Sequence, residues 1–193
     1  FDLARSLGCI QRDLDGSLLK RLCLRDSLQA RGPSLCSNYG KGGYPFHTDT
    51  ASWDDPIRLL CLRAVDGDFR RGTRVISGSE FFGAFPESLV RRSCWATMNG
   101  RRSFYCGMEW GNGSDLSRRY RCDTACMTPI NEAAKQLSSM LHERCSLDIG
   151  MRIEWKPGRV LILDNWRMLH ARCSPVTNEG EQVLERIYIR NDF

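Results

Sequence analysis

The sequence predicts a mainly β protein with flanking helices, its strands closing on themselves under a few covering helices. Three observations predict it. Residues 151–156 and 185–190 alternate apolar with polar side chains, the two-residue period of a half-buried strand. The short apolar runs "IRLLCLRAV" and "RVLILD" are bounded by turn residues, as buried strands are. Neither an internal repeat nor a linker interrupts the 193 residues, a length that buries one real core. The expectation is a single domain over 1–193, with a helical N-terminal part over about 1–32 and the β core over about 40–193.

Each element has its own reason. "SLLKRLCLRDSLQARG" (17–32) has helix-like spacing and runs into the Gly32-Pro33 stop. "SLCSNYGKGGYP" (34–45) reads as loop. "IRLLCLRAV" (57–65) is short, apolar and closed by "DGD", hence a strand. "CWATMNGRRSFYC" (94–106) reads as a hairpin, because Asn99-Gly100 supplies the positive φ angles of a type I′ turn. From Thr128-Pro129 a helix follows: Ile130, Ala134, Leu137 and Leu141 share one face, and Pro suits the first helical position. Met151, Ile153 and Trp155 then alternate with Arg152, Glu154 and Lys156, and Pro157-Gly158 fits the centre of a type II turn. "RVLILD" (159–164) reads as a buried core strand. "ERIYIRNDF" (185–193) alternates again, with Arg186, Tyr188 and Arg190 on one side and Ile187 and Ile189 on the other.

No stretch approaches the roughly 18 unbroken apolar residues of a membrane span, and "FDLARSLGCIQRD" lacks a cationic leader followed by an apolar block. The expectation is a soluble, cytoplasmic protein without a membrane partner. The net charge of +5 is modest, and the Arg doublets at 70–71, 91–92, 101–102 and 118–119 are scattered, so a solvated surface is favoured over nucleic-acid binding. Most of the 10 cysteines sit inside apolar stretches, which favours buried free thiols over a disulfide framework. Cys122 and Cys126 have a C-x3-C spacing without a second pair nearby, which leaves zinc a minor reading.

Only 3 histidines exist, so the search for a metal or acid–base site is short. His47 lies in "PFHTDT", where an extended chain would turn His47 and Asp49 to the same face. His170 ends "RVLILDNWRMLH", 121 residues after Asp49 (170 − 49). Two imidazoles and one carboxylate delivered from distant strands have the composition of the facial triad that holds non-haem Fe(II) and leaves three positions open. The bland alternative is that H-x-D arises by chance and that the distal His is a hydrogen-bonded core residue. His142 falls off the apolar stripe of its helix and reads as surface. Arg186 and Arg190 share a strand face, and guanidinium groups turned inward are costly unless paired. A carboxylate ligand would pair them bidentately.

"FHTDTASWDDPIRLLCLRAVDGDFRRGTRVISG", together with "GRVLILDNWRMLHARCSP" and "ERIYIRND", resembles the Fe(II)- and 2-oxoglutarate-dependent dioxygenases of the taurine dioxygenase and γ-butyrobetaine hydroxylase superfamily. The resemblance implies a double-stranded β-helix (jelly-roll, cupin-like) core, with His47, Asp49 and His170 as iron ligands. It implies that Arg186 grips the far carboxylate of 2-oxoglutarate with Thr73 as helper, and that Arg190 touches substrate. Asn38 and Tyr39 fall near the expected pocket. Asn165, Arg167 and Arg172 would tie the surrounding backbone and carboxylates in place, with Trp166 as packing. One departure from the family pattern is Arg71-Gly72 where Gly-Gly is usual.

The activity so implied uses Fe(II), 2-oxoglutarate and O2 to hydroxylate a small polar molecule such as an amino acid or a natural-product intermediate, with succinate and CO2 as coproducts. Desaturation, cyclisation and epoxidation use the same centre, whereas relatives that halogenate lack the carboxylate at Asp49. A substrate bound to a carrier protein or a nucleic-acid base stays open, as does the oligomeric state. Three readings from other classes compete: a catalytically silent jelly-roll binding module, a zinc-stabilised interaction protein built on Cys122 and Cys126, and a cupin-type isomerase that ignores 2-oxoglutarate.

Overall fold

In the computed structural model, which describes residues 1–29, 34–98, 102–111 and 118–190, the chain opens with helix α1 (Asp2–Leu7) and strands β1 (Cys9–Gln11) and β2 (Lys20–Cys23). Helix α2 (Leu35–Tyr39) precedes β3 (Leu59–Gly67) and β4 (Thr73–Ser77), then helices α3 (Gly78–Phe82) and α4 (Glu87–Arg92). Strands β5 (Trp95–Met98), β6 (Ser103–Cys106), β7 (Glu109–Trp110), β8 (Arg119–Tyr120) and β9 (Met127–Pro129) lead to the long helix α5 (Glu132–Ser146). Strands β10 (Met151–Ile153), β11 (Val160–Asp164), β12 (Met168–Arg172) and β13 (Gln182–Arg190) complete the chain.

Strand β13 is the hub of a five-stranded sheet in the order β1-β13-β3-β11, with β2 also on β13. A second sheet, β10-β4-β12, faces it. Leu60, Leu62, Ala64, Leu163 and Tyr188 meet Val75 and Trp155 in one apolar cluster, the seam between the sheets. The next residues along the same strands turn the other way, as the two-residue period requires. Cys61, Ile187 and Ile189 pack under Ala4 and Leu7 of α1. Ile76 and Leu169 pack against Phe81, Phe82, Leu137 and Leu141 of the helices and against Trp95 and Met127 of the third sheet, β6-β5-β9. Each fully buried Leu, Ile or Phe side chain contributes roughly 1.5–3 kcal/mol. Two facing sheets with helices outside form the double-stranded β-helix.

The structure departs from the expected elements in four places. The helix read over 17–32 is absent: Lys20–Cys23 is a strand and Ser27–Gln29 a single 3-10 turn, while Ala30 and the Gly32-Pro33 stop lie outside the described residues. One edge of β13 is covered by β3, and the other would be bare without β1 and β2. Satisfying those backbone donors outweighs a helix propensity of a few tenths of a kcal/mol per residue. Secondly, the stretch over 34–45 is not all loop, because Ser34 and Ser37 exchange side-chain and backbone hydrogen bonds in a capping box that starts α2.

Thirdly, α5 begins after Asn131, not at Pro129. Pro129 is paired with Trp95 in the third sheet, and Asn131 Oδ1 accepts the Ala134 N–H at 3.0 Å as the helix cap. Ile130 is therefore outside the helix and exposed, whereas Ala134, Leu137 and Leu141 are buried as expected. Fourthly, "RVLILD" is not buried on both faces: β11 is the outer strand of its sheet, with Val160 40% and Ile162 39% exposed. An apolar run alone cannot distinguish a central strand from a one-sided edge strand.

Other expectations hold. Strands β5 and β6 pair antiparallel up to Met98 and Ser103, although the turn residues Asn99 and Gly100 lie outside the described residues. The Lys156–Arg159 turn is closed by the Arg159 N–H on Lys156 O at 2.9 Å, with Gly158 at φ 76°. That φ is the reason glycine stands there. All ten cysteines are free thiols, but only Cys61, Cys122 and Cys173 are buried, fewer than the sequence suggests. Among the described residues no helix is long and apolar enough to cross a membrane.

Candidate metal centre

The segment around His47 runs alongside β12. The His47 N–H donates to His170 O and the His170 N–H donates to His47 O, both at 2.9 Å, so the two residues form a hydrogen-bonded antiparallel pair. Such pairs put both side chains on one face. For His170 that face is shared with Val75 across the β4–β12 ladder, which points it into the seam between the sheets. Thr48 faces the opposite way, with its N–H on Cys122 O and its hydroxyl accepting the Cys122 N–H at 3.0 Å. Asp49 then returns to the His47 side.

The result is the sole cluster of three potential metal-binding side chains among the described residues: His47, Asp49 and His170, each buried, with one donor atom apiece all within 4.8 Å. Asp49 Oδ1 lies 3.5 Å from Nε2 of both histidines. Metal–ligand bonds of about 2.1 Å at right angles set donors about 3 Å apart, so a small contraction suffices to close on an ion. The donor set fits a divalent ion in a second way. Nδ1 of His47 is 2.9 Å from Pro45 O, and an N–H there fixes the tautomer that leaves Nε2 its lone pair. Nδ1 of His170 is buried with no hydrogen-bond partner among the described residues.

Asp49 is held on every side. Its backbone N–H donates to Asn165 Oδ1 at 2.8 Å, and Asn165 Nδ2 donates to Asp49 O at 3.0 Å and to Ile57 O at 2.9 Å. Its Oδ2 accepts from Arg186 Nη1 at 2.9 Å and from the Tyr188 hydroxyl at 3.0 Å. Only Oδ1 therefore faces the histidines unclaimed. The next residue, Thr50, sits at φ 58°, which a β-branched side chain adopts at a cost of about 1–3 kcal/mol. Its hydroxyl accepts the Ile57 N–H at 2.9 Å, and Arg121 donates to the carbonyls of Ala51 and Asp54. The turn after Asp49 is thus fixed from several directions.

The electrostatics follow from burial and these partners. Burial alone would raise the Asp49 carboxyl, but Arg186 and the two imidazoles hold it well below the usual carboxylate range. Burial and the neighbouring His47 push His170 down, while His47 goes up because Asp49 outweighs its burial. Against the cost of burial, Asp49 and Asp13 keep Arg186 firmly charged. Burial pushes the Tyr188 phenol well up, so it donates to Asp49 as a neutral hydroxyl.

The other expected residues are placed less uniformly. Arg186 reaches Asp49 directly. Thr73 is buried on β4, but its hydroxyl accepts the Trp155 indole N–H at 3.0 Å and makes no hydrogen bond to Arg186. Arg190 is half exposed and pairs with Asp55 at 3.2 Å. Tyr39 is exposed; its ring approaches Tyr44, whose ring in turn approaches His47 at 6.3 Å between centroids. Asn38 is exposed, and its side-chain oxygen takes the Ser37 hydroxyl. Asn165 clamps backbone as expected, Arg172 donates to Gly40 O and Gly42 O, and Trp166 packs against Trp110 under Arg119. Arg167 lies half exposed, 4.0 Å from Asp164. His142 is on the surface, and among the described residues Cys122 and Cys126 belong to no group of three potential metal ligands.

Two contributors were not visible beforehand. Tyr188 lies between Arg186 and Arg190, and the alternation puts it on their face. Asp13, whose carboxylate accepts from Arg186 Nη2 at 2.8 Å, lies in a stretch with no motif. The departure Arg71 is also explained: its buried guanidinium pairs with Glu179 and donates to Lys41 O, tying together two loops.

Two facing sheets with a buried His-Asp-His cluster at the mouth of one strand define a class, double-stranded β-helix proteins with a facial triad of side chains. Residues 116–188 match the family described as Taurine catabolism dioxygenase TauD, TfdA family, and the chain resembles that family. Clavaminate synthase 2 from Streptomyces clavuligerus is 33% identical over 85 residues, covering 43% of this chain and 25% of that protein. Asparagine oxygenase, solved in complex with Fe(II), 2S,3S-3-hydroxyasparagine and succinate, superposes with a TM-score of 0.76 at 19% identity, over 97% of this chain and 62% of that one. OrfP, a non-heme iron oxygenase in complex with Fe and alpha-ketoglutaric acid, gives 0.67 at 18% identity over 98% and 62%. PvcB from Pseudomonas aeruginosa gives 0.69 at 15% over 99% and 70%. At these identities the structural likeness is one of fold. The chain spans a quarter of the length of clavaminate synthase 2 and about three fifths of asparagine oxygenase.

Proposed function

We propose that this chain is an Fe(II)- and 2-oxoglutarate-dependent dioxygenase that hydroxylates a small polar molecule, an amino acid or a natural-product intermediate, with succinate and CO2 as coproducts. One observation carries the reading: the buried convergence of His47 Nε2, Asp49 Oδ1 and His170 Nε2 from distant parts of the chain. Two nitrogen donors and one carboxylate on one side of an ion suit Fe(II) and leave positions for a chelating keto acid and for O2. The bound metal, keto acid and O2 supply the oxidation itself.

The chain's own residues supply position and exclusion of water. His47, Asp49 and His170 would hold the ion. Asn165 fixes the Asp49 backbone, and Arg186 with Tyr188 restrains the oxygen that does not face the histidines. Arg186, buried and charged beside Asp49, would grip the far carboxylate of 2-oxoglutarate. Thr73 would stand near that carboxylate as a helper, although its hydroxyl here accepts the Trp155 indole N–H. Arg190, Tyr39 and Asn38 are exposed and free to meet a substrate in this reading, and Arg190 would suit one that carries a carboxylate. The hydroxylated amino acids bound in the two neighbours, 2S,3S-3-hydroxyasparagine in asparagine oxygenase and (3S)-hydroxy-L-Arg in OrfP, support an amino acid. A carrier-protein-bound acid would present the same small group and is the second substrate class to screen. The rival binding module predicts a broken triad, whereas His47, Asp49, His170 and Arg186 are all intact.

The test is anaerobic addition of Fe(II) and 2-oxoglutarate, followed by a succinate-release screen over amino acids and carrier-bound acids. A weak visible charge-transfer band is expected in the wild type and not in His170→Ala. A wild type with no band, and no succinate from any candidate, would end the reading.

A further inference from the structure

Arg186 already has a carboxylate on its outer side. Nη1 donates to Asp49 and Nη2 to Asp13 Oδ2 at 2.8 Å, while Nε is buried with no hydrogen-bond partner among the described residues. Asp13 belongs to the loop between β1 and β2. Both strands hang on β13, through Tyr188–Arg190 and Val183–Arg186 respectively, which pins the loop over the point where Arg186 leaves its strand. The Asp13 side chain, 11% exposed, lines a shallow cleft with Gln11, Ser17, Lys20, Arg186 and Tyr188.

We propose that Asp13 is a specificity-determining residue for the keto acid, a built-in stand-in for the far carboxylate of a dicarboxylate, which seats on Arg186 by displacing it. This rests on the reading of Arg186 as the cosubstrate anchor. Three features support it. Asp13 uses only Nη2, whereas a carboxylate laid along the Nε and Nη2 edge of the fork makes two hydrogen bonds and satisfies the orphaned Nε. Asp13 is not stranded when it leaves, since Lys20 Nζ stands 3.4 Å away and the Leu14 N–H already donates to its Oδ1 at 2.7 Å. With Asp13 and Asp49 both in place, a further carboxylate would set three anions around one guanidinium, so exchange is favoured over addition.

Asp13 therefore taxes dicarboxylates and is indifferent to keto acids that lack a far carboxylate. The experiment uses the full chain loaded with Mn(II) under anaerobic conditions, titrated with 2-oxoglutarate or with pyruvate and read by thermal shift. Asp13→Asn should tighten 2-oxoglutarate about tenfold, the worth of one charge-assisted hydrogen-bond competitor, and leave pyruvate unchanged. Lys20→Gln, which removes the alternative partner of Asp13, should weaken 2-oxoglutarate severalfold, again without touching pyruvate. Unchanged or weaker 2-oxoglutarate binding in Asp13→Asn, or equal tightening of both keto acids, overturns the inference alone. A wild type whose stability ignores 2-oxoglutarate while Mn(II) is bound overturns the anchor reading beneath it.

Discussion

His47 and His170 exchange both of their backbone hydrogen bonds at 2.9 Å, and their rings stand 4.2 Å apart between centroids. The separation of the two imidazoles is therefore set by a main-chain ladder and not by the loops that deliver them. Replacing either ring leaves that ladder in place.

His47→Ala and His170→Ala should accordingly fold and yet fail to hold a divalent ion. Equilibrium dialysis against Fe(II) or Co(II) is expected to give one ion per wild-type chain and none per variant, with unchanged far-ultraviolet circular dichroism. A variant that keeps one tightly held ion would show that the donors lie elsewhere.

Asn165→Ala removes a side chain that satisfies the Asp49 N–H, Asp49 O and Ile57 O, all buried. Leaving such groups unpaired costs roughly 1–3 kcal/mol each before any relaxation. We expect a loss of about 3 kcal/mol by urea denaturation, and weaker metal binding, because the backbone that aims Asp49 is freed. Stability within 0.5 kcal/mol or so of wild type would mean that water replaces the amide at little cost.

Tyr188→Phe deletes only the hydroxyl that donates to Asp49 Oδ2 at 3.0 Å and keeps the ring in the seam between the sheets. Outer partners of metal ligands are typically worth 10–100-fold in affinity, and a loss near the lower end is expected since Arg186 still holds the same oxygen. Co(II) titration followed through its visible bands reads both the dissociation constant and the symmetry of the site. Identical affinity and identical bands would make Tyr188 a packing residue only.

The parts of the molecule that the sequence made legible are those where one local pattern decides. The alternation at 185–190 put Arg186 and Tyr188 on one face, and H-x-D with the distal His named the three side chains that converge. The failures came where a neighbour far along the chain decides. Residues 20–23 have helix-like spacing, but the bare edge of β13 makes them a strand. "RVLILD" looks central because no local pattern reports that β11 is the outer strand of its sheet. Asp13 carries no motif, and its meaning comes from lying across from Arg186, 173 residues away.

The cap of α5 gives a check on stability that should leave the centre alone. Asn131 Oδ1 accepts from the Ala134 and Cys94 N–H groups, so Asn131→Ala should cost about 1–2 kcal/mol in thermal or urea unfolding. Metal binding at 25 °C should not change, because Leu137 and Leu141 of α5 pack in the cluster that holds Leu169, which alternates with His170 and so lies on the other face of β12. Loss of metal binding in a folded Asn131→Ala chain would mean that the helix layer sets the donor geometry.

Arg186 separates the two carboxylates Asp13 and Asp49, and its removal tests more than one bond. In Arg186→Ala the Asp49 carboxylate keeps the Tyr188 hydroxyl but loses the guanidinium paired with it, and truncating one partner of a buried charge pair costs on the order of 3–5 kcal/mol. The 2-oxoglutarate requirement should rise by roughly two to three orders of magnitude, since each factor of ten corresponds to about 1.4 kcal/mol. Metal affinity should move much less, because two effects oppose each other: Asp49 loses a partner that holds its Oδ2, which weakens binding, while the loss of a neighbouring cation removes a repulsion, which strengthens it. Arg186→Lys restores a charge but not the planar fork, so it should recover stability more than keto-acid binding. Succinate release measured against 2-oxoglutarate concentration, alongside Co(II) titration of the same proteins, resolves the two effects. If Arg186→Ala left the 2-oxoglutarate requirement unchanged while weakening the metal, Arg186 would serve Asp49 alone, and Arg190 would be the next guanidinium to test as the anchor.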